Sequence, residues 1–137
     1  MAAVPHLSDR MLTFLVVDDE PFIVEYVRQV LSRLGQRVLT ARDGDEAWSL
    51  FERQRKTIDF LITDIIMPGS CDGFALAERV RQAKPSLPIL FITGALPDED
   101  PRTLDLLKRR MLLKKPFFPE QLVTILQSHL SPAGSAA

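Results

Sequence analysis

A few residues carry most of the chemical capacity of this 137-residue chain: the run Asp18-Asp19-Glu20, the lone Asp64, the hydroxyl of Thr93 and the lysine Lys115. Each follows an apolar run: Leu12 to Val17, Phe60 to Thr63, Pro88 to Ile92 and Met111 to Leu113. Runs without polar alternation read as strands covered on both faces, so the reactive groups stand where strands end. A lone carboxylate there is costly to desolvate and needs partners. Asp18, Asp19 and Asp64 at one sheet edge repel one another, and a hard divalent cation keeps them ionised at least cost. Mg²⁺ suits this role because it takes a few carboxylate oxygens and keeps waters that a phosphate can replace. Lys115 adds a point charge and Thr93 a hydroxyl donor, which completes a cradle for a tetrahedral anion beside Asp64. The matching chemistry is phosphoryl transfer onto a carboxylate, in line and with charge neutralised on the equatorial oxygens. The nucleophile is already ionised, so no general base is required, and neither His6 nor His129 is needed near the site.

The elements that must position these groups alternate along the chain. After the first strand, Pro21 stands where a first helical residue would, and Phe22, Ile23, Tyr26, Val27, Val30, Leu31 and Leu34 recur with helical period until Gly35. Val38 to Ala41 is a second strand, ending without an obvious chemical group. Asp43 with Glu46 forms a capping-box pattern that opens a second helix burying Ala47, Leu50 and Phe51. Asp72 to Ala83, Arg102 to Arg109 and about Pro119 to Leu130 complete the helices. A mobile loop is expected over Ala95 to Pro101. Five strands and five helices joined by short connections imply a parallel sheet with helices on both faces. Such a sheet places its ligand outside the strands' carboxyl ends, where strand order reverses.

Composition narrows the possibilities. The length fits one domain, here residues 11–130, with a disordered lead over 1–10 and a flexible tail over 131–137. A net charge of −1 offers no basic footprint for nucleic acid or an anionic membrane. One cysteine, Cys71, excludes an intramolecular disulfide and fits a reducing compartment. With no membrane-length apolar run and no secretory leader pattern, a cytoplasmic location is expected.

Four pieces, in order and at strand ends, carry a resemblance: Val17-Asp18-Asp19-Glu20; Thr63-Asp64-Ile65-Ile66-Met67-Pro68 with Asp72-Gly73; Phe91-Ile92-Thr93-Gly94; and Lys115-Pro116-Phe117. Together they resemble the receiver domain of bacterial two-component response regulators, from about Leu12 to Leu130. The resemblance implies an α/β, flavodoxin-like (βα)5 doubly wound parallel sheet of strand order 2-1-3-4-5. It implies Asp64 as phosphoacceptor, with Mg²⁺ held by Asp19 directly, by Asp18 through water, by Asp64 and by the backbone carbonyl of Ile66. Thr93 and Lys115 would each contact a phosphoryl oxygen. The implied donor is a phosphohistidine on a histidine kinase or histidine phosphotransfer protein. The implied output and dimer surface is the face of the fourth helix, fifth strand and fifth helix. Such a domain is not an enzyme on other substrates; it catalyses only its own phosphorylation and dephosphorylation. It could stand alone or be the receiver of a hybrid histidine kinase.

The sequence departs from the family pattern at Leu112, three positions before Lys115, where an aromatic is usual, and this points to the loop after Thr93 as the readout. Two other readings use the same residues. A Mg²⁺-dependent phosphohydrolase also employs a strand-end Asp, Thr and Lys, but wants an Asp-x-Asp spacing that Asp18-Asp19-Glu20 lacks. A degenerate receiver serving as a binding scaffold would not need the complete acidic, Thr and Lys set.

Overall fold

The computed structural model describes residues 6–94 and 100–130. Five parallel strands, β1 (Thr13–Val17), β2 (Arg37–Ala41), β3 (Phe60–Asp64), β4 (Ile89–Thr93) and β5 (Leu112–Lys114), lie in the order β2-β1-β3-β4-β5. The intervening helices are α1 (Pro21–Arg33), α2 (Gly44–Gln54), α3 (Gly73–Ala83), α4 (Pro101–Lys108) and α5 (Pro119–Leu130). This is the flavodoxin-like order expected from the sequence.

Side-chain alternation along the strands builds two cores, because successive residues point to opposite faces. Leu15, Val17, Leu61, Ile89, Phe91 and Leu112 face one way and join Ala47, Phe51, Leu76 and Val80 from α2 and α3. Phe14, Val16, Phe60, Ile62, Leu90, Ile92 and Leu113 face the other and join Val27 and Leu31 from α1 and Leu122 and Leu126 from α5. Every residue of β1, β3 and β4 is buried. That double coverage is why their sequences show no polar alternation. β2, at the edge, is buried only at Ala41.

Strand boundaries fall one residue from the sequence reading in several places, for identifiable reasons. Pro88 lacks an N–H and contributes only its carbonyl, which accepts from Leu61 at 3.1 Å, so β4 begins at Ile89. The Leu12 amide is taken by the Gln36 side chain at 2.7 Å rather than by the ladder. The Thr13 amide is taken by Asp59 Oδ2 at 2.9 Å.

Helix starts follow the capping chemistry expected of Asp and Glu. Asp43 Oδ1 accepts from the Glu46 amide at 2.8 Å, while Glu46 Oε1 accepts from the Arg42 amide at 2.8 Å, one residue further back than in the reciprocal box. Asp72 caps α3 through the Ala75 amide, and Asp100 caps α4 through the Arg102 amide.

Several expectations meet a different outcome. Of the lead, residues 1–5 lie outside the described residues, but Leu7 is buried in the α1/α5 core and the His6 carbonyl accepts from Gln127 at 2.9 Å. An apolar side chain within reach of that core is held there despite its position near the start of the chain. Most of the loop expected over Ala95 to Pro101, residues 95–99, lies outside the described residues, as does the tail 131–137. Cys71, in the loop before α3, is buried in the α2/α3 core. His129 hydrogen-bonds the Arg110 carbonyl at 2.7 Å and packs edge-on to Phe60.

The connection from β3 to α3 is tight. The Gly73 amide donates to the Ile65 carbonyl at 2.8 Å, and a Cβ at Gly73 would fall 2.0 Å from the Asp64 carbonyl oxygen and 2.7 Å from Ile65 Cα. Neither obstacle is a flexible side-chain end, so Gly73→Ala must move the backbone that carries Asp64. We expect a loss of about 1–3 kcal/mol, the usual range for overpacking. Urea denaturation would check this, and a variant as stable as the parent would contradict the close approach.

Candidate functional site

The carboxyl ends of β1, β3, β4 and β5 bring together Asp18, Glu20, Asp64, Thr93 and Lys115. Asp18 follows β1 directly and its amide donates to the Ala41 carbonyl of β2 at 3.2 Å. Asp64 is the last residue of β3 and pairs in register with Ile92. Thr93 ends β4, is buried, and accepts the Lys115 amide on its carbonyl at 2.8 Å. Lys115 follows β5; its aliphatic stem crosses Gly94, where a Cβ would sit 3.7 Å from Lys115 Cδ. The Lys115–Pro116 peptide is cis. Lys114 is exposed while the Lys115 side chain is only 11% exposed, the outcome expected when neighbouring residues point to opposite faces.

Lys115 Nζ is the hub. It lies 2.7 Å from Glu20 Oε1, 2.9 Å from Asp18 Oδ2 and 3.4 Å from Asp64 Oδ2. The approach to Asp18 is off the hydrogen-bonding direction: the fully buried Asp18 Oδ2 has no hydrogen-bond partner among the described residues. Asp18 Oδ1 is satisfied by the Glu20 amide at 2.9 Å. Oxygens of Asp18, Glu20 and Asp64 all lie within 4.8 Å of one another.

The electrostatics follow from this crowding. Burial pushes the Asp64 carboxyl up to about 6; the Asp18 charge and, less, that of Asp19 add to the rise, and Lys115 opposes it. Burial likewise raises Asp18, against the Glu20 N–H and Lys115. For Lys115 burial pulls downward, but the hydrogen bond to Glu20 and the close Asp18 and Asp64 carboxylates outweigh it and leave the ammonium above its usual range. Three carboxylates against one ammonium leave an excess of negative charge. The set fits a hard divalent cation: oxygen donors only, with one buried carboxylate oxygen still lacking a hydrogen-bond donor.

Of the residues singled out from sequence, Asp18, Asp64, Thr93 and Lys115 converge here. Asp19 is exposed and stands outside the three-carboxylate cluster, though near enough for its charge to act on Asp64. Ile66 lies two residues past Asp64 with its side chain 53% exposed. Glu20 is an addition to the expected set. Its signal in the sequence is membership of the Asp18-Asp19-Glu20 run; which member of that run reaches the lysine depends on the turn into α1. Leu112, in place of the family aromatic, is buried opposite Phe91 in the sheet register, and Phe91 packs against Phe74 at 5.3 Å.

Comparison with known proteins gives a consistent result. The family model for the response regulator receiver domain matches residues 14–127. Response regulator GtcR of Aneurinibacillus migulanus is 34% identical over 122 residues, covering 88% of this chain and 48% of that protein. The alkaline phosphatase synthesis transcriptional regulatory protein PhoP of Bacillus subtilis is 37% identical over 109 residues, covering 79% of this chain and 44% of that protein. The chain thus spans about half the length of these curated relatives. Among solved structures, Vibrio cholerae chemotaxis protein CheY4 is 33% identical with a TM-score of 0.75, covering 88% of this chain and all of that one.

The raised Asp64 carboxyl has a consequence for stability. In the fold it holds its proton up to about pH 6 against an ordinary value of 3.8, so the folded state binds more protons than the unfolded chain between those limits. Metal-free protein is therefore expected to lose stability as pH rises through that window. Asp64→Asn should be more stable than the parent at pH 7 by on the order of 2 kcal/mol, with the gap closing toward pH 4. Urea denaturation in chelator at both pH values would measure this; an Asn variant no more stable at pH 7 would contradict the assignment of strain to Asp64.

Proposed function

The chain belongs to the response regulator receiver domain family, a signalling family of phosphorelays, and from that premise we propose that Asp64 is its phosphoacceptor. The observation that carries the proposal is the convergence of buried Asp64 and Asp18 on Lys115 at the sheet's carboxyl edge. In this reading the Asp64 carboxylate attacks the phosphorus of a phosphohistidine on a histidine kinase or histidine phosphotransfer protein. The new O–P bond forms as the P–N bond breaks, and the imidazole leaves with the electron pair. No proton is taken from Asp64, which fits a group ionised at neutral pH.

Lys115 moves its charge onto a phosphoryl oxygen, and the Thr93 hydroxyl donates to another. Asp18, Asp19, Asp64 and the Ile66 carbonyl are the proposed holders of Mg²⁺, with the Asp18-Glu20-Asp64 cluster as support. Mg²⁺, when bound, supplies charge neutralisation for the equatorial phosphoryl oxygens. The domain then catalyses only its own phosphorylation and dephosphorylation.

Phe22, Ile66 and Phe118, respectively 65%, 53% and 71% exposed, offer apolar contacts for the donor protein. Leu104 and Leu107 of α4, 51% and 41% exposed, support the α4-β5-α5 face as an output or homodimer surface. PhoP is by its name a transcriptional regulatory protein. No described helix is long and apolar enough to cross a membrane, which accords with the cytoplasmic site of action we assign.

Incubation with acetyl phosphate and Mg²⁺, followed by intact-mass measurement, is expected to add one phosphoryl group. Asp64→Asn should abolish the adduct, and Lys115→Ala should lower its yield at least tenfold. Labelling that persists unchanged in Asp64→Asn would overturn the assignment. In the absence of a phosphodonor, Mg²⁺ should raise the thermal midpoint of the parent in a concentration-dependent way, as for any ligand that binds only the folded state. An unchanged midpoint at millimolar Mg²⁺ would count against the cation site.

A further inference from the structure

We propose that Glu20 is a positioning residue that latches the Lys115 ammonium in competition with Asp64 in the unphosphorylated protein, and so sets how readily the site accepts a phosphoryl group. This rests on the reading of Asp64 as phosphoacceptor and adds a residue to it.

The backbone of Glu20 is fixed at several points. Its amide donates to Asp18 Oδ1 at 2.9 Å. Its carbonyl accepts from the Ile23 and Val24 amides at 3.0 and 3.3 Å. The following Pro21 disfavours helical backbone at this position, and Glu20 is extended with φ −91° and ψ 106°. Its side chain makes no capping bond to its own helix. The carboxylate instead reaches Lys115 Nζ at 2.7 Å, the shortest of the lysine's three carboxylate contacts; Asp64 has the longest, 3.4 Å.

The contrast in burial makes this contact the releasable one. The Asp18 and Asp64 side chains are 0% and 7% exposed, so neither can exchange the lysine for water at low cost. Glu20 is 58% exposed, so water can replace the ammonium at its carboxylate when Lys115 turns to a phosphoryl oxygen. The contact is charge-assisted yet solvent-screened, strong enough to bias the lysine and weak enough to yield.

Chain length and charge can be separated by experiment. Glu20→Gln removes the charge. Glu20→Asp keeps it but shortens the side chain by one methylene and so weakens its hold on Nζ. At saturating Mg²⁺, both variants are expected to accept phosphate from acetyl phosphate two- to tenfold faster than the parent. Mg²⁺ affinity, measured by calorimetry without a phosphodonor, allows the rates to be compared at equal Mg²⁺ occupancy, and circular dichroism should show both variants folded.

A Glu20→Asp rate equal to the parent's would mean that charge alone matters and would overturn the latch. Unchanged rates in both variants would do the same. A tenfold or greater loss of Mg²⁺ affinity in both would make Glu20 a cation ligand instead. If the parent fails to label, or if labelling survives Asp64→Asn, the reading beneath the inference fails, an outcome distinct from those of the Glu20 series.

Discussion

The structure at the sheet's carboxyl edge depends on one lysine holding apart, and together, carboxylates that would otherwise repel. Like charges about 5 Å apart at an effective dielectric near 20 cost roughly 3 kcal/mol, comparable to a substantial share of a small domain's net stability. Lys115 offsets part of this for Asp18 and Asp64, and the remainder appears as the upward displacement of both carboxyls. Under the proposed function the same crowding is what a divalent cation and a phosphoryl group would relieve. A set of charges balanced in the resting protein would have little to gain from either.

Placement of that lysine is a matter of backbone register. β4 lies between β3 and β5, so the Asp64, Thr93 and Lys115 ends of three adjacent parallel strands fall side by side. The Lys115 amide is bonded to the Thr93 carbonyl, and its stem passes over Gly94, the residue after the strand. On the far side, α3 begins so close to β3 that no side chain fits at Gly73. Asp64 is thereby held between a strand partner and a helix start, which explains how a carboxylate with a perturbed proton affinity stays in place.

Much of this was legible in the sequence because the relevant signals are short in range. Apolar runs with no alternation announced β1, β3 and β4; Pro21, Asp43 and Asp72 marked helix starts; the strand-order rule then brought Asp18, Asp64, Thr93 and Lys115 to one edge. The illegible part depends on side-chain reach across the fold. Leu7 is buried because α1 and α5 leave room for it, a fact of tertiary packing that no local pattern near the chain start encodes. Cys71 is buried because the loop folds against Gly44, where an added Cβ would lie 2.2 Å from the Cys71 carbonyl oxygen. Glu20 and Asp19 are adjacent and chemically alike; the turn into α1 turns one toward Lys115 and leaves the other outside the cluster.

That last contrast separates the rigid part of the site from its adjustable part. Asp18, Asp64 and Thr93 are buried at strand ends, where their side chains have little room to move. The Lys115 ammonium is different: its contacts can be redistributed among Glu20, Asp18 and Asp64 by rotating a flexible side chain. The backbone just beyond Lys115 is anchored elsewhere, since the Phe117 carbonyl accepts from the Tyr26 hydroxyl of α1 at 2.9 Å and the two rings pack at 5.6 Å. Leu112 reaches the opposite core, where Phe91, Phe74 and the Arg102 guanidinium, 4.3 Å above the Phe74 ring, link the sheet to α3 and α4. A change of charge at Asp64 thus meets a movable ammonium in the site and a packed aromatic and guanidinium stack behind Leu112. With no aromatic side chain at position 112 to rotate, those groups are the described contacts that link this end of the sheet to α4.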